Sequence, residues 1–188
     1  MEKLIITAAI TGGVHGKTAN PNLPEQPDEQ IQQTIDAWNA GASIVHIHAR
    51  DAEGKNAQEK AIYKEVLEGI RARGCDIVIQ FTTGGGMGMS PEERLSSIEA
   101  GPEMASLNMG TVNYPLPDGT YSLSNNPPND IVWFAEEMKK RGIKPELEVY
   151  SPTMMEDAYK LIEKACWKNL IISILLWGCL LRVHPRRH

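Results

Sequence analysis

Two histidines stand two apart in the run IVHIHARD, Ile44 to Asp51. In a strand, residues i and i+2 point to the same face, so His46 and His48 would project side by side. Two rises separate their Cα atoms, roughly 6–7 Å. Imidazoles at that spacing can share one divalent metal. Zinc is the usual occupant of a site with two histidines, one carboxylate and an open position. The spacing alone also fits two polar residues on a half-exposed strand face, because two ligands do not complete a site. No second H-x-H and no H-x-x-E-H pattern supplies a third.

Three other stretches carry side chains suited to chemistry. In TTGGGMGMSPEER, glycines would let the backbone approach a ligand closely, and a helix start would favour an anion. The same stretch can be read as a plain glycine-rich turn. TGGVHGKT resembles a phosphate-binding loop but has Thr11 where that motif needs glycine. Pro21 and Pro24 then follow where a helix should begin, which argues against nucleotide hydrolysis. PELEVY places Glu146 and Glu148 on one strand face. Charge within a parallel strand is costly unless it lies at the strand end or in a site. Either glutamate could bind a cationic group or orient a ligand, and a salt bridge to Arg50 or another cation is the structural alternative.

Alternating strands and helices would position these side chains. LIITAAIT (Leu4 to Thr11), ASIVHIHA (Ala42 to Ala49), DIVIQFTT (Asp76 to Thr83), EMASLNM (Glu103 to Met109) and KPELEVY (Lys144 to Tyr150) read as strands. Between and after them, helices are expected over Pro27 to Ala40, Ala61 to Arg73, from Ser90, over Ile131 to Arg141 and over Thr153 to Lys164. Gly41, Gly74 and Gly142 stop three of them. Ser90 has Pro91 at the first helical position and Glu93 as capping-box partner. Asn113 to Asn129, rich in Pro, Asn and Gly, reads as a loop. Alternation of this kind implies a parallel sheet covered by helices, either open and doubly wound or a (β/α)8 barrel. A barrel typically takes about 250 residues. The 188 residues hold five to six β/α units, so a TIM-type barrel would be incomplete.

Composition limits the partners. The net charge is −5 and no basic stripe precedes the tail, which argues against nucleic acid. MEKLIITAAI enters a strand-like run with no basic leader region. The apolar run Leu170 to Leu181 is short for a bilayer and is broken by Ser173 and Gly178, so no membrane partner is expected. Cys75, Cys166 and Cys179 are scattered, which suits a reducing cytoplasm.

Six segments, in order, resemble the β-keto acid cleavage enzymes: LIITAAITGG, NLPEQPDEQ, AGASIVHIHARDAEGK, IQFTTGGGMGMSPEERL, PEMASLNMGTVNY and KPELEVYSPTMMEDAYKLIEK. The resemblance covers residues 3 to about 164. It implies a zinc-dependent (β/α)8 barrel, usually a homo-oligomer. The reaction it implies is an acyl transfer in which a β-keto acid and acetyl-CoA give acetoacetate and a new CoA thioester. His46 and His48 match two zinc ligands of the family. Thr82 and Gly85 match its keto-acid loop, Ser106 and Asn108 its polar contacts from the fourth strand, and Glu148 a glutamate in the pocket. Two departures follow. Val14 stands where amino-acid-cleaving members carry a glutamate, which argues against a substrate ammonium and leaves His15 to contact a different group. The family's third ligand is a glutamate on a late strand, near an arginine and an aspartate that serve the reaction. Those catalytic groups are expected beyond the end of this chain, whose activity would then be impaired. A metal-dependent hydrolase on the same scaffold and a non-catalytic fragment are the alternative readings.

The tail differs from the rest. After Glu163 there is no acidic residue, and two of four tryptophans, two of three cysteines and three of eight arginines fall between 166 and 188. The expected organisation is therefore residues 1–164 as the N-terminal part of one barrel domain and 165–188 as an aberrant, frameshifted tail. With suitable synonymous codons for Lys164 to Ser173, restoring one A gives K-G-L-L-E-K-P-Y-H-F, a continuation like the family's own. The tail's apolar run could still pair as a makeshift sixth strand.

Overall fold

The computed structural model describes residues 4–115, 119–165 and 172–175. In chain order it contains β1 (Thr7–Ala9), α1 (Pro27–Asn39), β2 (Ile44–Ile47), α2 (Lys60–Ala72), β3 (Val78–Phe81), α3 (Pro91–Leu95) continued by a 3-10 turn (Ser96–Ala100), and β4 (Met104–Asn108). These are followed by β5 (Val112–Pro115), β6 (Tyr121–Ser124), α4 (Pro128–Lys140), β7 (Lys144–Val149), α5 (Pro152–Ala165) and β8 (Ile172–Leu175).

Six strands form one parallel sheet in the order β1-β2-β3-β4-β7-β8. Each main strand lies beside the one before it, so the order never reverses. A doubly wound sheet needs such a reversal. Crossovers of one hand then put the helices on one side, and the sheet curls into an incomplete barrel. Of the two architectures that the sequence allows, the strand order selects the barrel type. The tail contributes β8, which pairs in parallel with β7 from Glu146↔Ile172 to Val149↔Leu175, as the expected sixth strand.

Alternation along the strands separates two environments. Val45, Ile47, Ala49, Ile79 and Phe81 face outward and join Ile31 of α1 and Tyr63, Val66 and Ile70 of α2 in one apolar cluster. Leu107, Met109, Leu147 and Val149 join Phe134 and Met138 of α4 and Ala158 and Leu161 of α5 in a second. The intervening residues line the inner face. Cα register aligns Ala9, His46, Gln80, Met104 and Lys144 in one row. Ser106 lies beside Glu146 and Asn108 beside Glu148 in the rows above.

Local signals explain the helix ends. Ser90 accepts from Glu93 N and Glu93 returns a bond to Ser90 N, which completes the expected capping box. Gly142, at φ +69, takes the left-handed conformation that ends α4.

Two expectations are corrected. The first strand spans Thr7–Ala9 rather than Leu4 to Thr11. Its ladder is limited by β2, and Leu4, Ile5 and Ile6 are exposed at 84%, 53% and 50%. The expected loop from Asn113 to Asn129 includes most of an antiparallel hairpin, β5 paired with β6 from Val112↔Ser124 to Pro115↔Tyr121. Among the described residues, no helix is long and apolar enough to cross a membrane.

Candidate active site

The inner face gathers the predicted side chains. His46 and His48 lie side by side on and just past β2, with ring centroids 5.0 Å apart and ring planes at 64°. His46 Nδ1 is 3.1 Å from Gln80 Oε1, and the Gln80 amide nitrogen donates to Glu146 Oε2. Removal from water lowers the pKa of His46, and it lowers that of His48 well below the ordinary value, with His46 and Arg50 adding to the effect. Both imidazoles are therefore neutral at pH 7, the form that can donate a lone pair to a metal.

The opposite part of the face is acidic. Glu146 is buried, its Oε1 has no hydrogen-bond partner, and burial raises its pKa. Glu148 is pushed up to about 7, first by desolvation and then by Glu146, against a lowering hydrogen bond from Tyr150. The Tyr150 hydroxyl donates to Glu148 Oε2 at 3.1 Å and lies 3.4 Å from Asn108 Oδ1. Burial and Glu148 together push the phenol well above its ordinary range.

Thr82, Ser106 and Asn108 are all buried where β3 and β4 reach the C-terminal end of the sheet. Thr82 Oγ1 accepts from Gly84 N at 2.9 Å, and Thr83 Oγ1 donates to Ser106 O at 2.6 Å. These bonds tie the glycine loop to β4. Gly85 has φ +65, and a Cβ there would lie 2.7 Å from Arg94 Cγ, so both backbone and space require glycine. Val14 is 56% exposed, and His15 meets Arg50 through its carbonyl.

The alternative reading, a salt bridge from Glu146 or Glu148 to Arg50 or another cation, does not form among the described residues. The Arg50 guanidinium donates to the carbonyls of Gly12, His15 and Gly54, so it pins the loop after β1. Glu146 takes its bond from Gln80 instead. Sequence reasoning passed over three residues of the site. Gln80 carries a recoverable signal, since its amide alternates with Ile79 and Phe81 on an otherwise apolar strand. Tyr150 is two residues beyond Glu148, so strand period places it on the same face. Arg94 gave no such signal. It is buried, has no salt bridge among the described residues, and bonds the carbonyls of Thr83 and Asn125 and the side chain of Asn126, which links the glycine loop to the region before α4.

Two neutral imidazoles on one face fit part of a zinc ligand set. Among the described residues, no group of three His, Cys, Asp or Glu side chains is arranged to hold a metal ion.

An incomplete β/α barrel with polar groups on its inner face and at the C-terminal strand ends has the layout of a barrel enzyme. The family model of the beta-keto acid cleavage enzymes matches residues 3–185, and the chain belongs to that family. It is 42% identical over 164 residues to a 3-keto-5-aminohexanoate cleavage enzyme of Acetoanaerobium sticklandii, covering 87% of this chain and 59% of that protein. It is 39% identical over 154 residues to a 3-oxoadipate:acetyl-CoA acetyltransferase of Cupriavidus necator, covering 82% of this chain and 52% of that protein. The chain thus spans a little over half the length of these curated relatives. Among solved structures, apo ObcA superposes with a TM-score of 0.69 at 21% identity, over 82% of this chain and 36% of that one, a likeness of fold.

Proposed function

We propose that this inner face serves a β-keto acid cleavage reaction, in which a β-keto acid and acetyl-CoA exchange to give acetoacetate and a new CoA thioester. The observation that carries it is the convergence of His46, His48, Ser106, Asn108 and Glu148 on one face of the barrel sheet, in a chain of this family. His46 and His48 would hold Zn2+, which when bound supplies Lewis-acid polarisation of a keto oxygen. Thr82 and the loop at Gly85 would bind the keto acid. Ser106 and Asn108 offer neutral polar groups to its oxygens, a favourable arrangement where charge develops in a site shielded from water. Glu148, with its pKa near 7, can hold or release a proton at the oxygen not bonded to Tyr150. Val14 favours a keto acid without an ammonium group.

The described residues provide two metal ligands, so the 188-residue chain is expected to turn over slowly by itself. Residues 165–188 are proposed to be read out of frame, on the strength of the composition break after Glu163. Sequencing the gene from the codon for Tyr159 onward tests this, and bases that permit no one-base restoration refute it.

The functional test incubates the full chain with Zn2+, acetyl-CoA and a panel of β-keto acids, with mass spectrometry of the products. Acetoacetate and a new thioester should form slowly, only with both zinc and acetyl-CoA, and His46→Ala should abolish them; robust turnover would overturn the expected impairment. Product formed without acetyl-CoA would favour a metal-dependent hydrolase. Absence of both product and zinc binding would leave a non-catalytic fragment.

A further inference from the structure

Gln80 has no role in the function proposed above, yet it is fully enclosed between the two chemically distinct parts of the inner face. Its neighbour in register on β2 is His46. Its amide oxygen lies 3.1 Å from His46 Nδ1, and its amide nitrogen donates to Glu146 Oε2 across the interior. A primary amide has one end that only accepts and one that only donates. The Glu146 carboxyl engages the nitrogen end and thereby sets which way the amide faces. The oxygen end is then turned to the imidazole, and that oxygen can only accept. His46 Nδ1 must therefore carry the hydrogen.

We infer that Gln80 is the positioning residue that fixes His46 as the Nδ1–H tautomer, with Glu146 anchoring the Gln80 amide. The lone pair of the neutral ring is then confined to Nε2. Histidine free in water prefers the opposite tautomer, so the bond selects against the intrinsic preference. Among the described residues, no side-chain acceptor plays this part for the His48 ring, which makes His48 an internal control. On the proposed reading of the pair as zinc ligands, Gln80 also prepares Nε2 of His46 as the donor atom. A partner at the second ring nitrogen typically contributes 10–100-fold to metal affinity.

The test uses the full, metal-free chain with 15N-labelled histidine at a pH where both rings are neutral. Long-range 1H–15N correlations distinguish the two tautomers of each imidazole. The native chain should show the Nδ1–H pattern at His46, and Gln80→Leu should convert it to Nε2–H while leaving His48 unchanged. Zinc affinity should fall 10–100-fold in the same variant. If Gln80→Leu does not fold by circular dichroism, Glu146→Leu replaces it. That change frees the amide to turn and should give a mixture of tautomers at His46, as should Glu146→Gln, whose own amide can meet either end of Gln80. An Nε2–H pattern in the native chain, or a His46 pattern indifferent to both substitutions, overturns the assignment. A tautomer switch in a chain that binds no zinc supports the assignment and removes only the metal reading.

Discussion

The two faces of one strand obey different rules here. On β4, Leu107 faces outward into the cluster with α4 and α5, while its neighbour Ser106 faces inward beside Glu146. The outward face is held by contact area, with many interchangeable apolar neighbours. The inward face is held by directed bonds among few groups, such as His46 to Gln80 to Glu146 and Asn108 to Tyr150 to Glu148. Stability therefore resides mainly on one side of the sheet, and the groups suited to chemistry lie on the other. The cost of the chemical side is visible in Glu146, a buried carboxyl with one oxygen unpartnered.

Neighbouring substitutions on β4 break this contrast most strongly. Leu107 is fully buried, and Leu107→Ala should cost about 2–5 kcal/mol in a urea titration, from lost burial and the cavity left behind. A cost below ~1 kcal/mol would mean that the outer cluster does not hold the sheet.

A pH series sharpens the contrast on the inner face. Glu148 has a folded pKa of about 7 against 4.5, so the folded state binds the extra proton between those values. Its contribution is fully present below pH 4.5 and is lost as pH rises through 7. His46 and His48 act in the opposite sense, since their lowered values cost stability as pH falls below 6.5. The native chain minus Glu148→Gln isolates the carboxyl. That difference should fall by roughly 1–3 kcal/mol from pH 4.5 to 7.5, after allowance for partial solvent access. A flat difference would show that Glu148 is hydrated rather than enclosed.

The smallest effect belongs to Ser106→Ala. Its hydroxyl receives only a long bond from Thr83 N at 3.4 Å, so the cost should stay under ~1 kcal/mol. On the function proposed above, binding of a β-keto acid, measured by calorimetry, should weaken in this variant although the fold does not. A loss of stability as large as that of Leu107→Ala would erase the distinction between the faces.

Much of the site could be read from the residues because strand alternation is local. Period two places His46 with His48 and Glu146 with Glu148 without knowledge of any other strand. The capping box at Ser90 is likewise a matter of four consecutive residues. The partners were less legible. Arg50 and the two glutamates have opposite charges and invite pairing, but Arg50 lies three residues past β2 and is occupied by carbonyls of the loop after β1. The β5–β6 hairpin was obscured by its prolines and asparagines, which resemble loop composition even where the backbone pairs.

The sequence by itself determined the alternating β/α elements of the main sheet, the faces they present, and the family, since these follow from periodicity, caps and ordered motifs along the chain. Only the tertiary structure decided the unreversed strand order that makes the sheet a barrel wall, and the bond from Gln80 to His46, 34 residues apart, and to Glu146, 66 residues apart. Those depend on register between strands, and register is set by the packing of the whole sheet against its helices, which no local pattern encodes.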